Sequence, residues 1–76
     1  MVRAEFTVEP FVVGARGAHV EAALAGAAST GLAVEDGPFG IAVEGDDAAV
    51  LSAVSAALSE AMRAGATRVS LQLTRV

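Results

Sequence analysis

The chain has 76 residues and a formal net charge of −4, and its five basic residues are all arginines. This composition offers no basic patch that could neutralise phosphates, so nucleic acid is excluded as an expected partner. The absence of cysteine and the single histidine also exclude thiol catalysis, disulfide bonds, thiolate metal sites and multi-histidine metal sites, and we expect no metal or other cofactor.

The length of the chain predicts one small domain over residues 1–76. No apolar run approaches the roughly 18–20 residues that a membrane span needs. No basic stretch followed by an apolar one, as in an export signal, is seen near the N terminus. We therefore expect a soluble, cytoplasmic protein that has no membrane partner.

The first predicted element is a β-strand, because apolar and polar residues alternate over Val2–Glu9 with the period of a strand that buries one face. Pro10 ends this strand, and a glycine-rich loop follows over residues 11–17. A helix is then expected over residues 18–29, with Gly31 suited to its C-terminal cap. Its expected apolar side consists of Val20, Leu24, Ala27 and Ala28.

A tight turn is predicted near the middle of the chain, between two apolar segments. Pro38 cannot donate a hydrogen bond to a sheet, and the neighbouring Gly37 and Gly40 tolerate unusual backbone angles. The turn is therefore expected in this cluster, and residues 32–35 and 39–44 are the predicted strands of a β-hairpin.

A second helix and a last strand complete the chain. The helix is expected to begin at Asp46 or Asp47, whose carboxylate can accept hydrogen bonds from the free N–H groups of the first turn, and to end at Gly65. Its predicted apolar stripe consists of Val50, Leu51, Val54, Leu58, Ala61 and Met62. The last strand alternates two sets of residues: apolar Val69, Leu71 and Leu73, and polar Arg68, Ser70, Gln72 and Thr74.

The resulting order, β-α-β-β-α-β, predicts a ferredoxin-like α+β fold, in which a four-stranded antiparallel sheet carries both helices on one face. The expected core members are Phe6, Val8, Val20, Leu24, Val43, Val50, Val54, Leu58, Val69, Leu71 and Leu73. Small side chains dominate the apolar residues and the other sheet face is bare, so a monomer of this size buries little surface. We therefore expect a homo-oligomer.

The polar residues of the first and last strands are expected on the bare sheet face: Arg3, Glu5, Thr7, Ser70, Gln72 and Thr74. They form either a solvated face without a function, as antiparallel sheets commonly have, or a polar cavity between subunits. Glu5 is the favoured ligand carboxylate, because a charge on a covered face needs a partner. Its alternative partner is an arginine across the sheet: Arg3, Arg68 or Arg75.

Three segments carry a family resemblance. They read Ala-Glu-Phe-Thr-Val-Glu-Pro at residues 4–10, Glu-Asp-Gly-Pro-Phe-Gly at 35–40 followed by Val-Glu-Gly-Asp at 43–46, and Ala-Gly-Ala-Thr-Arg-Val at 64–69. Together, over nearly the whole chain, they resemble the thiamine-binding protein family (MTH1187/YkoF-like). The resemblance implies a ferredoxin-like protomer, dimers or tetramers assembled through the sheets, no catalytic activity, and binding of thiamine or its hydroxymethylpyrimidine moiety.

Thiamine has a thiazolium cation and an aminopyrimidine edge, so its site needs carboxylate or amide oxygens, hydroxyls and an apolar or aromatic wall. Under this resemblance the candidate ligand-binding residues are Glu5, Thr7, Phe39, Ile41, Glu44, Ser70 and Gln72. Phe11 is an alternative to Phe39 as the wall, and Ile41 stands where family members usually carry threonine. Glu44 lies at a strand end, where it either orients a ligand or caps the following helix.

The chain lacks the residues that are characteristic of other functions of this topology. An acylphosphatase-like enzyme needs an asparagine that positions water, and the chain has none, so no enzyme is expected and Arg16 is predicted to be a surface residue. A copper chaperone would need Cys-x-x-Cys, and an RNA-recognition module would need sheet aromatics with basic neighbours. His19 is expected to be solvated. The remaining alternative is a structural or regulatory module that oligomerises and binds a different small effector.

Overall fold

The structure is a computed structural model that describes residues 1–11, 17–37 and 40–76. Its elements in chain order are β1 (Val2–Glu9), α1 (Ala18–Ala28), β2 (Val34–Gly37), β3 (Gly40–Gly45), α2 (Asp47–Arg63) and β4 (Arg68–Arg75). The predicted order of strands and helices is confirmed. The predicted turn residue Pro38 and the predicted surface residue Arg16 fall outside the described residues.

The four strands form one antiparallel sheet in the order β2-β3-β1-β4. The two central strands bury alternate residues in the core that the helices share: Val2, Ala4, Phe6, Val8, Ile41 and Val43. Because successive side chains of a strand point to opposite faces, the polar residues of β1 lie on the other side of the sheet. The predicted ferredoxin-like α+β fold is confirmed.

The core is built mainly from small side chains. The predicted core residues that are buried are Phe6, Val8, Val43, Val50 and Val54, and those packed partly buried against them are Val20, Leu24, Leu58 and Val69. Alanines of both helices fill much of the remaining core. Within the described residues, neither helix is long and apolar enough to cross a membrane.

The two helices meet at Gly26. A Cβ atom on this residue would lie 2.6 Å from the carbonyl oxygen of Ala56 and 2.9 Å from the Cα atom of Ala57. Real side-chain atoms are not found this close to backbone atoms, so a glycine is required for the observed approach of α1 to α2. The glycine weakens α1 as an isolated helix but permits this close contact.

The buried side of α1 differs from the predicted one by about one residue. It consists of His19, Ala23, Gly26 and Ala27, whereas the predicted Ala28 is exposed and Val20 and Leu24 are only partly buried. The physical reason is the helix contact at Gly26, because α1 turns its smallest residues toward α2 to bring the two backbones together.

The prediction of a solvated His19 is wrong. Its side chain is buried, and its ring Nε2 donates a hydrogen bond to the carbonyl oxygen of Pro10 at 2.5 Å. This bond connects the first turn of α1 to the end of β1 and satisfies a polar group that would otherwise be buried without a partner. His19 therefore has a structural role in the packing of α1 against the end of β1.

The prediction that Leu71 and Leu73 belong to the core is also wrong. Both lie on the helix-facing side of β4, opposite Phe6 and Ala4 of β1, yet they are 40% and 48% exposed. β4 is an edge strand, and α2 packs chiefly over β1 and β3. The helix layer is thus too narrow to cover the last strand.

The first turn of α2 is held by an ion pair rather than by the predicted cap. Asp46 occupies the N-cap position without a side-chain capping bond. Arg75 Nη1 donates a hydrogen bond to Asp47 Oδ2 at 2.7 Å, and the α-amino group of Met1 lies 3.3 Å from Oδ1. The hydrogen bond from Arg75, followed by that from the α-amino group, lowers the pKa of Asp47.

Substitution of Asp47 by asparagine should give a stability loss that depends on pH. A carboxyl group with a lowered pKa in the folded state stabilises the fold above the pKa of an unfolded-chain aspartate, about 3.9, and this contribution disappears as the pH falls through the lower folded value. Asp47→Asn should therefore have a lower urea midpoint than the wild type at pH 6, and the difference should shrink as the pH falls below about 3.9.

Asp46→Asn is the matched control, because it removes the same charge from a neighbouring side chain that makes no capping bond. Its urea midpoint at pH 6 should fall less than that of Asp47→Asn. Equal losses in the two variants would mean that the ion pair between Asp47 and Arg75 does not stabilise the fold.

Candidate functional site

The open face of the sheet brings together the polar residues of its strands. Opposite each other in the register are Arg3 and Glu44, Arg3 and Thr74, Glu5 and Gln72, and Thr7 and Ser70. Residues directly opposite in adjacent strands point to the same face. The prediction that the polar residues of β1 and β4 share one face is therefore confirmed.

An open depression of about 750 Å³ lies on this face and is lined by residues of all four strands. Its volume falls within the roughly 300–1,000 Å³ of small-molecule pockets. Four of the predicted ligand-binding residues with polar side chains line it: Glu5, Thr7, Ser70 and Gln72. The sheet thus supplies a carboxylate, two hydroxyls and an amide along one surface.

Arg3 is the centre of the charge distribution on this face. Its guanidinium lies 2.6 Å from Glu35, 3.4 Å from Glu5 and 3.6 Å from Glu44, measured between nitrogen and carboxylate oxygen atoms. The hydrogen bond with Glu35 is the main reason that the pKa of Arg3 is raised. One positively charged side chain faces three negatively charged ones, so the cluster has a net negative charge.

The predicted arginine partner of Glu5 is therefore present, in the form of Arg3. Glu5 is nevertheless 53% exposed, and it shares its guanidinium partner with two other carboxylates. Solvent-exposed ion pairs contribute little, so the pairing leaves the Glu5 carboxylate accessible. A cation in the depression would meet a negative potential, whereas an anion would be repelled.

The remaining predicted site residues differ in their placement. Glu44 pairs with Arg3 on the open face but does not line the depression. Ile41 borders the depression, but its side chain is buried in the core, so only its backbone is available to a ligand. Phe39 lies outside the described residues. Phe11 is exposed and is not among the described residues that line the depression.

Sequence reasoning missed Glu35, which lines the depression and makes the shortest ion pair with Arg3. β2 has four residues, Val34–Gly37, which is too short to reveal the period-two alternation that assigns residues to faces. The face on which Glu35 lies follows from its pairing with Ala42 of β3. That pairing is a tertiary contact, and the local sequence of β2 does not indicate it.

Comparison with known proteins addresses the family of the chain. No protein-family model matches the sequence, and no curated protein matches it significantly. Among solved structures, hypothetical protein MJ1052 from Methanocaldococcus jannaschii is 30% identical with a TM-score of 0.68, and the match covers 96% of this chain and 75% of that one. The chain belongs to the same family as MJ1052.

A second solved structure, a domain of unknown function DUF77 from Bacillus cereus, has a TM-score of 0.73 and 24% identity over 99% of this chain and 75% of that chain. This likeness establishes the shared fold. Neither solved structure is described by a ligand or an activity. The comparisons therefore support the fold that forms the open face. The ligand has to be inferred from the residues of this face.

Proposed function

We propose that this protein binds thiamine or its hydroxymethylpyrimidine moiety in the depression on the open sheet face, without catalysing a reaction. It does so as a homo-oligomer in the cytoplasm, a dimer or tetramer in which the site borders a second subunit, and serves thiamine salvage, transport or sensing. The resemblance of three sequence segments to the thiamine-binding family supports the ligand class.

The observation that carries the proposal is the negative excess around Arg3 beside the polar lining of the depression. The accessible Glu5 carboxylate attracts a permanent thiazolium cation by charge–charge interaction. The aminopyrimidine edge needs both donors and acceptors, which Thr7, Ser70 and Gln72 provide from the adjacent strand pair. These polar groups all line the one depression on the open sheet face.

The second candidate function is a structural or regulatory module that binds a different small effector. Its support is that the charged groups of the open face pair with one another without a ligand, since Arg3 is shared by three carboxylates. In addition, no buried polar side-chain atom among the described residues lacks a hydrogen-bond partner. This alternative shares the oligomer but not the thiamine-class ligand.

Calorimetric titration with thiamine and with free hydroxymethylpyrimidine tests the proposal. Glu5→Gln should weaken thiamine binding at least about tenfold, because it removes the negative charge that faces the thiazolium cation while keeping the size of the side chain. The same substitution should weaken binding of the uncharged pyrimidine less. Circular dichroism and light scattering should show an unchanged fold and assembly.

Glu60→Gln is the matched control, because it removes one negative charge from α2, where Glu60 pairs with Arg63 away from the open face. It should bind thiamine like the wild type. Absence of heat with millimolar thiamine and millimolar pyrimidine would refute the ligand assignment and favour the second candidate. Equal affinities of Glu5→Gln and the wild type would place any thiamine site elsewhere.

A further inference from the structure

Each nitrogen atom of the Arg3 guanidinium faces a different carboxylate. Nε lies 3.4 Å from Glu5, Nη1 lies 3.6 Å from Glu44, and Nη2 lies 2.6 Å from Glu35. The side chain of Arg3 is 32% exposed, which is less than that of any of the three carboxylates. The cation is therefore the most enclosed member of the cluster, and every nitrogen of its planar group has an anionic neighbour.

The order of the strands explains why three carboxylates reach one guanidinium. Glu44 lies directly opposite Arg3 in β3, and Glu5 lies two residues further along β1, on the same face. Glu35 belongs to β2, on the far side of β3. Ala42 lies between Glu5 and Glu35 in the register, and its small side chain leaves room on the open face. The long side chain of Arg3 thus reaches across β3 to its nearest carboxylate.

This arrangement leaves Arg3 unable to bind a phosphate group. Arginine binds phosphate most strongly through two parallel N–H···O bonds from one edge of the guanidinium. One such edge consists of Nε and Nη2, and the other consists of Nη1 and Nη2. Nη2 belongs to both edges, and it makes the shortest ion pair of the cluster, with Glu35. A phosphate would have to displace Glu35 and would then lie among carboxylates that repel it.

The part of the chain that the structure describes offers a phosphate no other free arginine. Among the described residues that line the depression, Arg3 is the only one with a positive charge. Arg68 of β4 does not line the depression, and its Nε atom lies 3.5 Å from Oε2 of Glu9. Arg63 and Arg75 pair with carboxylates of α2. Every described arginine thus has a carboxylate partner.

We propose that Glu35 makes the depression selective for the unphosphorylated ligand, because it holds the Arg3 guanidinium and keeps it from a phosphate group. For the ligands of the proposed function, on which this inference rests, thiamine and hydroxymethylpyrimidine bind and their phosphate esters are rejected. Glu5 still attracts a cation, since it shares one guanidinium with two other carboxylates. Glu35 is a specificity-determining residue that acts through Arg3.

Calorimetric titration with two matched pairs of compounds tests the selectivity. Thiamine and thiamine monophosphate share the thiazolium cation and differ by one phosphate group. Hydroxymethylpyrimidine and its phosphate differ in the same way but have no cation. The wild type should bind the unphosphorylated member of each pair at least about tenfold more tightly, because the phosphate brings negative charge to a net negative cluster. Equal affinities within the pairs would overturn the proposal.

Substitution of Glu35 tests the role of this residue. Glu35→Ala should lower the preference for the unphosphorylated compound at least about fivefold in each pair, because it releases Nη2 of Arg3 and removes one negative charge. Adding Arg3→Gln to this variant should restore the preference, since the released guanidinium is then absent. Glu35 is 63% exposed, so circular dichroism should show a native fold in both variants.

A failure of the selectivity can be distinguished from a failure of the proposed function. Glu60→Ala is the matched control, because it removes a carboxylate of α2 that pairs with Arg63, and it should keep the wild-type preference. An unchanged preference in Glu35→Ala, or an equal loss in Glu60→Ala, would leave the ligand assignment intact and overturn the role of Glu35. Absence of heat with both unphosphorylated compounds would refute the proposed function and the selectivity together.

Discussion

Replacement of Phe6 by alanine should lower the free energy of unfolding by about 3–5 kcal/mol. Phe6 is 3% exposed at the centre of β1 and is the one aromatic side chain that the described core contains. Its neighbours in the core are mostly alanines and valines, which cannot expand to fill the cavity. The expected total stability of a 76-residue chain is only about 4–11 kcal/mol, so this one truncation should remove a large fraction of it.

Chemical denaturation followed by circular dichroism gives the measurement, and Phe11→Ala gives the control. Phe11 is 69% exposed, so its truncation should change the stability by less than about 0.5 kcal/mol. If both phenylalanine variants lost similar amounts, the assignment of Phe6 as the central residue of the core would be incorrect.

Substitution of Gly26 by alanine should destabilise the protein by about 1–3 kcal/mol, although alanine is the better helix former. In an exposed helix the change would stabilise by roughly 0.5–1 kcal/mol. Here the added Cβ atom would lie 2.6 Å from the Ala56 carbonyl oxygen. Backbone atoms cannot rotate away as a flexible side chain can, so the two helices must separate and lose packing along their whole contact.

Ala25→Val serves as the control for Gly26→Ala, because it adds more atoms to the neighbouring position, where α1 is exposed. Its expected cost is at most about 0.7 kcal/mol, from helix propensity alone. Thermal or urea unfolding of the three proteins should rank the wild type first and Gly26→Ala last. A stabilised Gly26→Ala protein would show that α1 and α2 are not in close contact at this point.

The strands and helices could be predicted because their patterns are local. The alternation of Val2, Ala4, Phe6 and Val8 with polar residues recurs in β4. When two such strands pair with their apolar residues on the core side, their polar residues lie together on the opposite face. Glu5, Thr7, Ser70 and Gln72 could therefore be assigned to one surface before the structure was known. The resemblance of three segments added the ligand class, which remains a proposal.

The site was predicted less completely than the fold. The cluster of Arg3 with Glu35 and Glu44 depends on β3 lying between β1 and β2 in the sheet, and strand order is a property of the whole chain. The position of Ile41 in the sequence did not indicate which face of the sheet its side chain lies on. The register with Phe6 shows that its side chain belongs to the opposite, buried face.

By itself, the sequence determined the type and order of the elements and the separation of apolar from polar faces, since these follow from periodicities of two and 3.6 residues. Only the tertiary structure decided which apolar residues are buried. The helix layer covers the central strands and leaves Leu71 and Leu73 of β4 exposed, while the close approach at Gly26 turns His19 inward. Burial depends on what packs against a residue, and neighbours distant in sequence supply that surface.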